Sequence, residues 1–358
     1  MALMFYLLDS QMKIKRVIET YKSAIWTERY NERGDFELYI PATADIIADV
    51  NFNSTNTTQY ICRADDTKKC GMIESIKIST DADAGNYLTV SGHMIEAAIF
   101  RRVVLSQFTY TGSAAKTIER LLYRSVIAPG DSHRKINGFT FKNSLTTADR
   151  DLTNQYNGEN VGEAIEAICK TLDIGYRANF DLESGAIEFE IYEGTNRTLG
   201  QTEVPPVIFS NDFNNLLSSA LTVNVEPWKN TAMVLGEGQG TSRVKALFAG
   251  YQMGIERREM YVNAEQTSTN GNEMTPQTYF NALYDKGQQA LGESKVLTET
   301  EADVAPNYGF KLNQDYFLGD RVSVRNEYGM ESNPRVVEII EAQDETGYSI
   351  IPTFSITE

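Results

Sequence analysis

Only two histidines occur among the 358 residues, and acid–base chemistry would have to start with them. His93 follows Ser91-Gly92, and His133 sits in a polar stretch beside Asp131. An imidazole titrates near neutral pH and can serve as a general base. Neither histidine comes with a Gly-x-Ser-x-Gly elbow, and Ser106 and Ser132 lie near them only as closely as chance allows. Cys62, Cys70 and Cys169 are odd in number and lack metal-ligand spacing, so no Cys/His zinc cluster can be drawn from them. Such cysteines suit a chain folded in a reducing cytoplasm. Gly236-Glu237-Gly238-Gln239-Gly240 is the one glycine-rich loop. A phosphate cradle wants a following Lys-Ser/Thr or a helix N-terminus, whereas Thr241-Ser242-Arg243-Val244 continues as strand, so the loop reads as a tight turn. The 49 acidic side chains leave room for a glycosidase carboxylate pair. That pair is defined by separation and a raised pKa, and a solvated acidic face is the plainer reading. The residues therefore offer no catalytic, cofactor-binding or metal-binding constellation.

The elements that would hold any site are mostly strands. The stretch Leu318–Phe354 begins with Gly319-Asp320-Arg321-Val322 and continues with two alternating runs joined by the turn Asp344-Glu345-Thr346-Gly347. Period-two alternation between turn residues marks half-buried antiparallel strands. The first hundred residues echo it: Gly34-Asp35-Phe36 opens a strand, and Ile73–Ile78 and Tyr87–Val90 flank a turn at Asp83-Ala84-Gly85. An extra segment, about 41–60, separates the parts of this first copy. The pattern reads as an internal duplication of one small β domain, although any two β-meanders share much of it.

The expected fold class is mainly β with α+β inserts, containing two similar small β-barrel domains of which the second is discontinuous. The divisions are 1–103 (first β-barrel), 104–205 (α+β insert), 206–256 (second β domain, first part), 257–304 (helix-containing insert) and 305–358 (second part). Helices are expected over Ser113–Ala128, from the cap Asn160 to a stop at Gly175, and from Thr275-Pro276 to Leu291. Residues 131–158 read as a loop-rich connection.

Composition narrows the partners. A net charge of −16 argues against a surface that grips nucleic acid, which needs clustered Lys and Arg. An acidic or neutral wall past which a polyanion slides fits better. No run approaches a membrane-spanning helix. The apolar Ala2–Leu8 reads as a first strand, so the Asn-x-Ser/Thr triplets at Asn53, Asn56 and Asn196 carry no glycan meaning.

Several blocks resemble tail-hub proteins from phages and prophages of Gram-positive bacteria, the siphovirus Gp37-like family. They are Ile25-Trp26-Thr27-Glu28-Arg29-Tyr30 with Gly34-Asp35-Phe36-Glu37-Leu38, then Phe209–Leu216, then Lys229-Asn230-Thr231-Ala232 with the glycine loop. Arg257–Ala264, Leu318–Ile339 and Ile351–Phe354 follow; Asn263 stands where that family usually has an acid. The positions that carry the resemblance are Trp26, Gly34, Asp35, Phe36, Phe209, Asn215, Asn230, Gly236, Gly238, Gly240, Gly319, Asp320 and Pro352. It implies a structural baseplate or tail-tip hub, related to the hubs of contractile tails and type VI secretion spikes. Such a hub is a homotrimer with six barrels in a ring that matches a six-fold tube. Its implied partners are the tail tube or distal tail ring protein, a spike or receptor-binding tip protein, and a tape measure protein as a further candidate. The chain's end at Ile356-Thr357-Glu358 implies no lytic extension. The alternative is a tail-associated cell-wall hydrolase with a carboxylate pair; a host-glycan-binding module would rest on exposed tyrosines alone.

Overall fold

The structure, a computed structural model, describes residues 3–50, 57–81, 85–249, 252–265, 267, 274–304, 309–329 and 331–356. Asn53 and Asn56, the turn residues Asp83 and Ala84, Pro306, and Thr357-Glu358 lie outside the described residues.

Seven strands open the chain: β1 (Phe5–Leu8), β2 (Ile14–Ile18), β3 (Ser23–Arg29), β4 (Asp35–Pro41), β5 (Tyr60–Arg63), β6 (Cys70–Asp81) and β7 (Gly85–Met94). A short helix, α1 (Ala44–Asp49), falls in the segment between β4 and β5, capped by the Thr43 hydroxyl. The middle of the chain supplies β8 (Phe108–Ser113), α2 (Ala114–Leu122), β9 (Phe139–Ser144), β10 (Asp151–Tyr156), α3 (Val161–Leu172), β11 (Gly175–Phe180) and β12 (Ile187–Tyr192). Then come β13 (Ile208–Ser210), β14 (Leu216–Asn224), β15 (Thr231–Leu235), β16 (Lys245–Ala249), β17 (Glu259–Asn263), α4 (Pro276–Glu293) and β18 (Leu297–Val304). The last strands are β19 (Ser323–Arg325), β20 (Glu331–Ser332), β21 (Arg335–Asp344) and β22 (Gly347–Ile356).

The fold is mainly β, and its main feature is an eleven-stranded sheet in the order β14-β18-β22-β21-β3-β4-β7-β6-β5-β1-β2. Among the described residues, neither it nor any smaller sheet is closed into a barrel by its backbone ladder. The long sheet contains one four-strand pattern twice. In chain order β3, β4, β6 and β7 pair as β3-β4-β7-β6, and β14, β18, β21 and β22 pair as β14-β18-β22-β21, all antiparallel. Each four-strand module has a β-bulge early in the first strand of its hairpin, at Ile73/Ser75 and at Val336/Glu338. Each hairpin starts its return strand with a positive-φ glycine, Gly85 or Gly347. The modules meet where β21 pairs with β3, from Glu338↔Arg29 to Asp344↔Ser23.

The N-terminal strands curl around Phe5, Trp26, Phe36, Leu38, Leu88 and Val90. Curling brings β5 and β1 back toward β21, and side chains span the gap. Leu3 N–H donates to Gln343 Oε1 at 2.7 Å, and Arg63 Nη1 lies 2.5 Å from Glu341 Oε1. The expected barrel is thus an incomplete one whose seam is bridged by side chains.

In the insert, Asn160 caps α3 through the N–H groups of Gly162 and Glu163. Its stop is Asp173 in the left-handed region (φ 54°), not Gly175, which begins β11. The helix after Ser113 is α-helical to Leu122 and widens into a π turn over Tyr123–Ile127. Residues 131–158 are not loop-rich, since they hold β9 and β10. Strand β10 is polar yet buried, because α4 supplies its partners: Asp285 accepts from Thr153 N–H at 2.5 Å and Gln289 donates to Asn154 at 3.1 Å. Polarity without those tertiary partners reads as loop.

Candidate functional site

The thirteen positions singled out in the sequence fall in four places. At the first, the Trp26 indole stacks between Phe5 (6.1 Å between centroids) and Phe36 (5.8 Å). A Cβ on Gly34 would fall 2.5 Å from Thr27 O, so only glycine lets the turn press against β3. The Asp35 carboxylate receives Arg29 Nη1, whose Nε donates to Glu338 of the other module at 2.7 Å.

The second place is a buried polar junction of three parts of the chain. Tyr30, at the end of β3, is fully buried, and its hydroxyl donates to Asp173 O at 3.2 Å and accepts from Gly194 N–H at 3.3 Å. Burial pushes that hydroxyl up to about 12. The Arg335 guanidinium lies over the Tyr30 ring at 4.8 Å and donates to Asp173 at 2.7 and 3.0 Å. Arg321 reaches the same carboxylate at 2.9 Å. Gly319 (φ +93°) turns the chain so closely that a Cβ would sit 2.4 Å from the Tyr30 ring. Asp320 follows, buried, and accepts from Thr195 N–H and Arg197 Nε, each at 2.7 Å, and from Phe317 N–H at 3.0 Å. A buried carboxylate with three charge-assisted or backbone donors fixes geometry, which is the role this cluster can perform.

The third place is the C-terminal core. Phe209 packs against Tyr316, Phe354 and Phe310 at 5.3 to 6.0 Å. Asn215 accepts from Ser210 N–H and donates to Ile208 O, and Pro352 lies opposite Ile339. At the fourth, Asn230 ties Arg258 N–H to Glu256 O. The glycine loop is the turn between β15 and β16, with Gly238 and Gly240 at positive φ and a short helical turn where a strand was expected. Tyr279 of α4 donates no room there: its hydroxyl accepts from Glu237 N–H, and a Cβ on Gly236 would lie 2.1 Å from it. Arg243 donates to Gly236 O at 2.7 Å and to Asn263 Oδ1, so the departing residue still serves as an acceptor.

Each histidine ring pairs with a carboxylate. His93 Nδ1 is 2.5 Å from Glu74, which also holds Arg101, and His133 lies on the surface 2.9 Å from Asp131. All three cysteines are buried. Among the described residues no group of His, Cys, Asp and Glu could hold a metal, and no helix is long and apolar enough to cross a membrane. One carboxyl stands out: burial pushes Glu96 up to about 7, although it accepts from Gly34 N–H. Glu96 and Glu28 line one cavity of about 440 Å³ between the N-terminal sheet and the insert.

Sequence reasoning missed Tyr30, Asp173 and Arg335 as one cluster, and it missed the pairing of Arg63 with Glu341. The latter left a trace, since Glu341 follows the buried Ile339 at period two and an acid on an inward face demands a cation.

The model of the Siphovirus ReqiPepy6 Gp37-like protein family matches residues 4–354. No curated protein matches the sequence. Among solved structures, the tail protein from Neisseria meningitidis MC58 superposes with a TM-score of 0.60 at 12% identity, over 98% of this chain and 96% of its own. The 43 kDa tail protein of prophage MuSo2 from Shewanella oneidensis gives 0.57 at 14%, over 98% of both chains. Prophage tail protein gp18 from Listeria monocytogenes EGD-e gives 0.54 at 12%, over 99% and 94%.

Proposed function

The chain belongs to the Siphovirus ReqiPepy6 Gp37-like family, and from that premise we propose that it is a structural baseplate or tail-tip hub of a phage tail or phage-tail-like particle. Three copies form a pseudo-six-fold ring that joins the tail tube to the spike or distal tip and lines the channel. Its place is the virion or extracellular particle, after assembly in the bacterial cytoplasm, and its neighbours are a tube or distal ring protein and a tip protein.

The observation that carries this reading is the repeated four-strand module. Matching the registers strand by strand pairs Ser23–Arg29 with Ser218–Asn224 and Ser75–Asp81 with Glu338–Asp344. Within the chain, Glu338–Asp344 is already hydrogen-bonded to β3. Among the described residues, the equivalent half of β6 and the equivalent strand β14 each keep a free edge, since the β5 ladder covers β6 only as far as Ile73 and β14 ends the sheet. Free strand edges invite pairing. Repeating the internal junction between copies places Ile78 opposite Leu221 and Ile76 opposite Val223 of the next copy. Leu221 and Val223 are 46% and 58% exposed, and Ile78 is 38% exposed. A heterologous contact that closes after three copies yields a ring of six modules. This supports the duplication, and β18, from the stretch 257–304 read as an insert, joins the second module.

Light-scattering mass after size exclusion, with images of the same peak, tests the ring. Three chain masses and an axial hole are expected. A protein that stays monomeric and binds neither tube nor tip components overturns the reading. Ile78→Cys with Leu221→Cys tests the strand assignment, and a crosslinked trimer is the expected product.

A wall hydrolase has one observation in its favour, the raised Glu96 facing the same cavity as Glu28. Clearing of purified walls by the native protein but not by Glu96→Gln is the result that reading requires.

A further inference from the structure

Cys62 on β5 and Cys70 on β6 stand directly opposite each other. The next pair outward is joined by a backbone bond, Arg63 N–H to Lys69 O at 2.9 Å, and Ile73 N–H donates to Gln59 O further along. Hydrogen-bonded and non-hydrogen-bonded pairs alternate in an antiparallel ladder, so Cys62 and Cys70 occupy a non-hydrogen-bonded pair. Cα atoms at such a pair are about 4.5 Å apart, with side chains at their closest. A disulfide spans Cα separations of about 4.4–6.8 Å. Both thiols are buried, and Cys62 Sγ donates to Thr67 O at 3.2 Å within the intervening turn.

We propose that Cys62 and Cys70 form a reversible intrachain disulfide that latches the turn carrying Arg63 and Lys69. Those two cations flank the pair and both reach Glu341 across the seam of the N-terminal sheet, at 2.5 and 3.5 Å. The oxidant is a low-molecular-weight disulfide such as oxidised glutathione. One cysteine thiolate attacks it, forming a mixed disulfide and releasing one glutathione thiolate. The second cysteine thiolate then attacks the protein sulfur of that mixed disulfide and releases the second glutathione. Two protein thiols are oxidised, one glutathione disulfide is reduced to two thiols, and two protons end on the products. Cys70 lines the 440 Å³ cavity, which gives the oxidant its approach. Closing residues 62–70 into a loop restrains Arg63 and Lys69 relative to the reduced chain. The pairing stands on strand register and is independent of the tail assignment.

The full chain is treated with oxidised glutathione, denatured in N-ethylmaleimide and mapped by mass spectrometry. A second sample is refolded from denaturant in a glutathione redox buffer, where burial cannot block access. The expected product in the refolded sample is a peptide linked Cys62–Cys70, with Cys169 alkylated. Trypsin should cut after Arg63, Lys68 and Lys69 several-fold more slowly in the oxidised protein than in the reduced protein or the Cys62→Ser/Cys70→Ser variant. Alkylation of all three thiols in both samples, or a dominant disulfide to Cys169, overturns the pairing. Equal cleavage of oxidised and reduced protein overturns the latch.

Discussion

The two four-strand modules share connection order, bulge and hairpin glycine, yet they are buried to different degrees. Trp26 on β3 is fully buried between two phenylalanines, while its register equivalent on β14, Leu221, is about half exposed. The first module is extended by β5, β1 and β2, which wrap its core and return to β21. The second ends at β14 among the described residues, and Phe209 and Phe354 pack in its core. Shared topology therefore does not entail shared burial at equivalent positions. Strands of the same chain cover the core around Trp26, whereas Leu221 and Val223 on β14 stay exposed at the rim.

Substitution at the equivalent pair tests this difference most severely. Trp26→Ala should cost about 3–5 kcal/mol, as large-to-small changes in a packed core do, and denaturant unfolding of the full chain will read it. Leu221→Ala should stay within about 1 kcal/mol, as surface changes do. Equal losses at the two sites would erase the contrast.

Next is the seam. Glu341→Gln takes the shared anion from the buried Arg63 and the half-buried Lys69, leaving them Asp65 and Glu28, and a cost of about 3 kcal/mol is expected from removing one member of a buried ion pair. The same carboxylate sets an acid response. Burial raises its pKa, but the Arg63 and Lys69 charges outweigh that and hold it below the ordinary carboxylate value. Its contribution is thus present above the unfolded-state pKa and is lost as pH falls through the lower folded value. Thermal scans on the acid side of the carboxylate range should show the native protein losing stability more steeply than Glu341→Gln.

Smallest are the hairpin glycines. Gly85→Ala and Gly347→Ala place a side chain at φ +93° and +136°, where the cost is about 1 kcal/mol each. Similar values at both sites would sharpen the equivalence of the hairpins, and a large inequality would count against it.

The likeness of the two modules was legible in the sequence and their difference in burial was not, for physical reasons. Alternation located β3, β4, β6, β7, β21 and β22, because a half-buried strand writes its burial with period two. Asn160 and Thr275-Pro276 announced their helices through caps that are local in sequence. Strand β10 was invisible, since its buried Asn154 and Gln155 find their partners on α4 and on β8, far away in sequence. The Tyr30–Asp173–Arg335 cluster was equally silent. Its members lie more than a hundred residues apart, and nothing local distinguishes a surface arginine from one laid over a buried tyrosine. The side-chain seam shares that origin: the sequence predicted a barrel, and the gap in its ladder depends on how far the sheet curls.

The pairing of β21 with β3 also bears on assembly kinetics. Joining two modules in one polypeptide makes their contact intramolecular, so it forms at a fixed effective concentration regardless of how dilute the chain is. In a ring of three, half the junctions would then be settled at folding and only the other half would depend on encounters between chains. Dilution would act on the β6–β14 contacts alone, and a ring that fell apart would release two-module units with their internal junction intact.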